Sequence, residues 1–365
     1  MVPPEPLIFP PDGNPESLPG GPAVYMIWPK GGEPYLGRTN ILRRRLKRLF
    51  EKWNLAAQAE RIEYWPAPSK LEQWLVSYSL ARRHFPDSYS RVLKLPKPPY
   101  VKLALHNEFP RTYVTARFSG AKAVFYGPFP TRAAADQFEA RALELFQLRR
   151  CQDDLRPEPG HPGCIYGEMR MCLRPCQEAV TAGEYASEAG RVREFLSTRG
   201  ANLLESAAAA RDRSSGNLDF EEAQRQHARH GQIESIVKLG GDLARDVTTL
   251  HGVAVTPSNE PLHVVLWFLR GGCWLGGRPF SVAPGLAEPL DKRLRGVVEE
   301  LEMPKPSLPL RQDHLALLAK WYFSSWRDGE WLTIDDWGQV PYRKLVNAIS
   351  RTASGKSRQM QLELG

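Results

Sequence analysis

No hydrophobic run in the 365 residues approaches the length of a bilayer span, so no membrane-spanning helix is expected. The opening, MVPPEPLIFPPDGNPESLPGG, has neither a charged n-region nor an apolar h-region; it reads as a Pro-rich tail, and the expected compartment is the cytosol. Nothing in the sequence suggests internal repeats or a nucleotide-binding loop. Charge of one sign is not strongly dominant. The 49 basic residues exceed the 41 acidic ones by only 8, a mild bias toward a polyanionic partner. Cysteine is scarce at five residues, with neither a C-x2-C knuckle nor a ferredoxin-type run among them. What remains is ordinary soluble composition, 42% apolar and 25% charged, in a chain long enough for two or three domains.

The most informative stretch runs from Gly21 to Leu49. Apolar, β-branched and aromatic residues from Ala23 to Trp28 suit a strand, and Pro29 to Pro34 suits a hairpin turn. A second short strand carries Tyr35, Leu36 and Gly37. A helix then follows with Asn40 as the expected cap, Ile41, Leu42, Leu46 and Leu49 at helical spacing, and Arg43, Arg44, Arg45, Lys47 and Arg48 between them. Two tyrosines on neighbouring strands thus lie beside a helix loaded with cations. Phosphodiester hydrolysis needs an oriented attacking oxygen, a cation for the phosphoryl charge and a metal ion for the leaving oxygen. The segment resembles the GIY-YIG nuclease signature, standing here as Ala23-Val24-Tyr25 and Tyr35-Leu36-Gly37. The resemblance implies that Tyr25 and Tyr35 orient or deprotonate a water and that Arg45 and Arg38 stabilise the developing charge. Mg2+ or Mn2+ is the implied catalytic metal. Arg43, Arg44, Lys47 and Arg48 are the expected DNA contacts.

Beyond this helix the pattern predicts polar helix from Glu51 to Arg61, a strand from Ile62 to Trp65, and a strong helix from Lys70 to His84. The third helix of a GIY-YIG domain carries a metal-binding glutamate. Anchored on the following Pro86, that position here is Ser77, while Glu72 matches another acidic position five residues earlier. Five residues turn about 500° around a helix, so the two do not share a direction. A hydroxyl is a poor replacement for a carboxylate on Mg2+. Leu49 also stands where the family sometimes has an aromatic residue.

Tyr100–Leu105, Arg111–Arg117 and Ala123–Tyr126 alternate as strands, and Ala133 to Leu148 is an amphipathic helix running into Cys151. Cys151, Cys164, Cys172 and Cys176 follow in a C-x12-C-x7-C-x3-C array. In a reducing compartment such an array favours thiolate metal ligation over disulfides; tetrahedral zinc and an iron–sulfur cluster both suit four sulfurs, and spacing does not choose between them. Cys273 stands apart, as a small buried hydrophobe. Phe109-Pro110-Arg111, Tyr126-Gly127-Pro128-Phe129, Leu148-Arg149-Arg150-Cys151 and Cys164-Ile165-Tyr166-Gly167 leading to Cys172-Leu173-Arg174-Pro175-Cys176 resemble the UvrC family of bacterial nucleotide-excision repair. The resemblance implies a [4Fe–4S] cluster, with zinc as second choice. Arg149, Arg150, Arg170 and Arg174 flank the thiols and would hold thiolate or touch phosphate.

Glu184 to Arg213 is helical with an expected break at Gly200, Ser214–Gly216 a turn, and Asn217 to about Lys238 a second helix. This hairpin, around Leu218 to Ala223, resembles the UVR motif that pairs UvrC with UvrB. From Gly240 strands and helices alternate again, with Asp335 and Asp336 in a loop and basic residues Arg343, Lys344, Arg351, Lys356 and Arg358 near the end. The expected class is a multidomain α/β (α+β) protein: a tail at 1–17, a small mixed-sheet GIY-YIG-like domain at 18–98, a strand and helix region with the four cysteines at 99–180, a helical hairpin at 181–240 and an α+β region at 241–365 resembling the UvrC connecting region. A short Cho-like form lacking the RNase H-like domain is expected. The implied function is incision of DNA on the 3′ side of a lesion; the alternative, raised by Ser77, is a DNA-binding adaptor of the repair complex that does not cleave.

Overall fold

The computed structural model describes residues 3–120, 122–152, 155–286 and 288–355; Lys356 and Arg358 lie outside the described residues. The architecture is α+β. Two compact units are present, one made of Met1–Pro96, His251–Pro306 and Asp313–Gly365, the other of Lys97–Leu250 with Ser307–Gln312. The first unit thus takes in the start of the chain and, apart from Ser307–Gln312, the part from His251 onward.

The first unit begins with β1 (Leu7–Phe9), β2 (Ala23–Pro29), β3 (Tyr35–Thr39), α1 (Leu42–Trp53), α2 (Leu55–Gln58), β4 (Ala59–Pro66), α3 (Lys70–His84) and α4 (Tyr89–Val92). The strands form an antiparallel sheet in the order β1-β4-β2-β3. Ala23 to Ile27 are all buried, because β2 is central and covered on both faces, which is why its sequence is continuously apolar rather than alternating. Leu42 and Leu46 of α1 pack with Phe9, Leu18, Tyr25 and Ile62 in one core. Asn40 does not cap α1: the cap position is Ile41 without a side-chain bond, and Asn40 instead accepts from Lys70 Nζ. Helix α1 stops at Asn54, in the left-handed conformation that Asn tolerates. Residues 59–61, expected as helix, extend β4, because Ala59 and Ile62 are drawn into the core beneath α1. Helix α3 has the expected bounds and is buried nearly all round; its cap is Ser69, whose hydroxyl accepts from the Glu72 N–H.

The second unit holds β5 (Tyr100–Ala104), β6 (Arg111–Thr115), β7 (Ala123–Gly127), α5 (Arg132–Ala142), α6 (Ile165–Glu168), α7 (Ala182–Thr198), α8 (Ala201–Gly216), α9 (Phe220–Leu239) and β8 (Arg245–Asp246). Its sheet runs β6-β5-β7-β8 and shares a core with α5, α7 and α9, including Val101, Tyr126, Phe138, Phe195 and Ile236. The break between α7 and α8 falls at Gly200, where φ is +78° and a Cβ would strike Phe195 and Val237. Ser214–Gly216 remain helical; the turn to α9 falls at Asn217–Leu218 instead.

The chain then returns to the first unit with β9 (His251–Pro257), β10 (His263–Arg270), β11 (Cys273–Ser281), α10 (Leu290–Glu299), α11 (Leu308–Tyr322), β12 (Glu330–Ile334) and α12 (Tyr342–Ala353). The sheet order is β11-β10-β9-β12, and Val253, Leu266, Phe268, Leu294 and Leu345 join it to α10 and α12 in a single core. Strand β12 and helix α12 arise where the sequence pattern suggested only a loop and a basic tail. Cys273 is buried, and Asp336 caps a short 3-10 turn by accepting from the Gly338 N–H.

Candidate functional site

The β2–β3 register pairs Tyr25 with Gly37 and Ile27 with Tyr35. Side chains alternate between faces along a strand, so Tyr25, Tyr35 and Gly37 share one face while Val24 and Arg38 share the other. Helix α1 covers the tyrosine face and brings Arg45 with it: Arg45 Nε donates to the Tyr25 hydroxyl at 2.9 Å. The Tyr25 ring is fully buried, lying over Gly37, where a Cβ would collide with the phenol. Burial pushes the Tyr25 pKa up to about 12, against the opposing pull of Arg45, and the Tyr35 hydroxyl raises it further. At neutral pH Tyr25 is therefore a phenol, not a phenolate base. Tyr35 lies 6.1 Å away between ring centroids and is 51% exposed, so of the two tyrosines it is the one that borders solvent. The bond to Tyr25 favours the charged form of Arg45 and fixes its guanidinium at the mouth of this face.

Two residues expected here are elsewhere. Arg38, on the opposite sheet face, stacks on Trp74 of α3 with its guanidinium carbon 3.3 Å from the ring centroid. Burial lowers its pKa to about 10, which leaves it charged, and its Nη1 is buried without a hydrogen-bond partner. Arg38 therefore does not join Tyr25, Tyr35 and Arg45. Ser77 is completely buried and its hydroxyl donates to the Gln73 carbonyl at 2.6 Å; a side chain bonded back along its own helix is not available to a metal. Glu72 faces a different cavity of about 410 Å³, lined also by Leu75, Val76 and Trp267, and its Oε2 is buried without a partner. Burial, then the nearby Asp328, pushes the Glu72 pKa up to about 7. Asp328 is itself held by the Lys70 N–H at 2.7 Å and Trp321 Nε1 at 3.1 Å. The two α3 residues the resemblance points to do not offer a catalytic divalent metal a ligand beside Tyr35: the Ser77 hydroxyl is consumed by its own helix and the Glu72 carboxyl lines another cavity.

Of the basic residues of α1, Arg43 Nε donates to the Leu18 carbonyl at 2.7 Å and Lys47 pairs with Glu16 at 2.6 Å, an exposed contact of little energetic weight. Arg44 and Arg48 are exposed, and Arg48 lines a cavity with Tyr35 and Arg45. Lys52 and Trp53 line the same cavity; sequence reading missed both, although the i, i+4, i+7 spacing of Arg45, Leu49 and Lys52 on an amphipathic helix would have shown them on one side.

In the second unit Cys172 and Cys176 are buried, Cys151 is half-buried and Cys164 exposed. Burial pushes the Cys172 thiol up to about 11, and the other three thiols push in the same direction, so all four lie within electrostatic reach. Arg149 Nη1 donates to Cys151 Sγ at 3.5 Å, and the Arg174 N–H to Cys172 Sγ at 3.4 Å. Such donors suit thiolate sulfur, and a bound cation would reverse the upward push on the thiols. Among the described residues no group of three or more Cys, His, Asp or Glu side chains is already arranged to hold a metal. Arg149 is buried and bonds the Phe109 carbonyl, so it serves the fold and the sulfur, not DNA. At the tip of the α8–α9 hairpin Leu218 and Phe220 are 73% and 67% exposed. No described helix is long and apolar enough to cross a membrane.

Residues 99–195 match the family described as UvrC/Cho excinuclease, middle domain. Across 357 residues the chain is 24% identical to the UvrABC system protein C of Acetivibrio thermocellus, covering 93% of this chain and 56% of that relative. The corresponding protein of Dehalococcoides mccartyi strain BAV1 is 23% identical over 363 residues, covering 95% of this chain and 59% of its own length. That of Escherichia coli O1:K1 / APEC is 30% identical over 284 residues, covering 73% and 45%. The chain thus spans about half the length of these relatives. No solved structure matches it.

Proposed function

As the chain belongs to the UvrC family, we propose that it is a DNA-binding protein of nucleotide-excision repair whose Tyr25–Arg45–Tyr35 site grips a backbone phosphate without driving hydrolysis. The observation that carries this reading is an arginine held in place by a tyrosine, while the serine at the expected metal-ligand position is bonded back into its own helix. Arg45 is fixed at 2.9 Å by Tyr25 beside a solvent-reaching Tyr35, while the Ser77 hydroxyl is spent on Gln73 inside the helix. A fixed guanidinium and a phenol O–H both donate to phosphate oxygens. Exposed Arg44 and Arg48 add salt-sensitive attraction. The exposed Leu218 and Phe220 support docking of a UvrB-type partner at the hairpin tip. The four cysteines, by their sulfur donors and the N–H groups aimed at them, fit a [4Fe–4S] cluster or zinc, which would staple the loop from Cys151 to Cys176.

A second reading, incision on the 3′ side of a lesion, is favoured by the same tyrosine–arginine geometry, with Tyr35 orienting the attacking water and Arg45 stabilising the phosphoryl charge. One assay separates the two. Labelled lesion, bubble and nicked duplexes are incubated with the full chain in Mg2+ or Mn2+, with and without UvrB, beside Arg45→Ala. Binding that falls steeply with salt, weakens in Arg45→Ala and gives no cut product is the expected result. Cleavage that Arg45→Ala abolishes would establish the nuclease reading instead.

A further inference from the structure

Beside the Tyr25–Arg45 pair lies a cavity of about 430 Å³ whose walls come from α1, α2 and the β2–β3 hairpin. Its contents are mixed in a particular way. Arg45, Arg48 and Lys52 supply three cations from one side of α1; Ile27, Leu49 and Leu55 supply an apolar floor; Tyr35 and Trp53 stand at the rim as exposed aromatic rings. Trp53 is 58% exposed, an unusual placement for the largest apolar side chain, and the left-handed Asn54 turns the chain immediately after it. Neither Arg48 nor Lys52 forms an ion pair among the described residues. Unpaired cations ask for an anion, and an apolar floor with aromatic edges asks for a flat, weakly polar body. The volume falls within the range of small-molecule sites.

We propose that this cavity is a nucleotide subsite that takes one unpaired nucleotide of a DNA strand, its base stacked against Trp53 and its phosphate held by Arg48 and Lys52. The proposal rests on the phosphate-gripping reading of Arg45: a phosphate on Arg45 places the neighbouring nucleotide at the cavity mouth. Extruding a base from a duplex costs stacking and pairing, and the cost is least at a bubble, a mismatch or damage. A protein that accommodates one extruded nucleotide therefore favours distorted DNA without reading its sequence, because every base has a π-face.

The test is an abasic scan. Bubble duplexes carrying a single abasic site at each successive position are titrated with the full chain, with Trp53→Ala and with Lys52→Ala, the fold of each variant being checked by circular dichroism. Stacking of one base is worth roughly tenfold in affinity. One position is expected at which removing the base weakens wild-type binding by about that factor and leaves Trp53→Ala unaffected, while Lys52→Ala weakens binding at every position and lowers the salt slope by about one. Salt-sensitive binding with no position coupled to Trp53 would overturn the subsite and leave the phosphate reading standing. Absence of salt-sensitive binding would overturn both.

Discussion

Gly37 faces Tyr25 across the β2–β3 ladder, and the Tyr25 phenol occupies the space a Cβ at Gly37 would need. The glycine of the second motif is thus a seat for the tyrosine of the first, and the seat holds the hydroxyl where Arg45 reaches it. Gly37→Ala is expected to cost about 1–3 kcal/mol by forcing the ring aside, and to weaken DNA binding as strongly as Arg45→Ala does. Tyr25→Phe keeps the packing and loses only the hydroxyl, at about 1 kcal/mol. Urea unfolding with parallel DNA titrations would check both; a Gly37→Ala protein with unchanged stability and binding would show that the seat is not needed.

The Glu72 carboxyl makes stability fall as pH rises. Its folded pKa, pushed up to about 7 from the usual 4.5 by burial and by Asp328, means the folded state holds the proton more tightly than the unfolded one. Its contribution is full below about pH 4.5 and is lost as pH climbs through 7. Between pH 4 and 8 the wild type is expected to lose on the order of 3 kcal/mol relative to Glu72→Gln. Unfolding curves at several pH values would decide it, and parallel pH profiles for the two proteins would refute it.

Leu218 is a non-glycine residue at φ +60°, and its side chain is among the most exposed in the chain. Fold stability alone favours glycine there, by roughly 0.5–1 kcal/mol. Leu218→Gly is expected to raise the melting temperature slightly while weakening UvrB binding, with Phe220→Ser weakening it further. Retained UvrB affinity in the double variant would place the partner surface elsewhere.

The cysteine region predicts a metal content. Anaerobically purified protein is expected to be brown, with iron and sulfide in the ratio of a four-iron cluster, and Cys172→Ser is expected to lose both the colour and several degrees of thermal stability. A colourless protein with one zinc per chain would assign the four thiols to zinc instead.

Much of this was legible in the residues. Local chemistry alone marks β2, the hairpin turn, α1 and α3, because period, turn residues and caps act over a few positions. The cysteine array and the order of the motifs point to the UvrC family, and the serine at the position where the resemblance expects a metal-binding glutamate is visible in the sequence alone. The partial misreadings share a cause: residues 59–61 become strand, and β12 appears in the final third, because partners far along the chain recruit them, and no local pattern carries that information.

What only the tertiary structure decided is which side of a sheet each charge occupies. Arg38 and Arg45 are both cations close to Tyr35 in sequence, yet one stacks on Trp74 and the other bonds Tyr25. A strand sends alternate side chains to opposite faces, and the helix that covers each face selects its partner. The sequence by itself determined which chemical groups this protein possesses; packing of α1 and α3 on opposite faces decided which of them can meet.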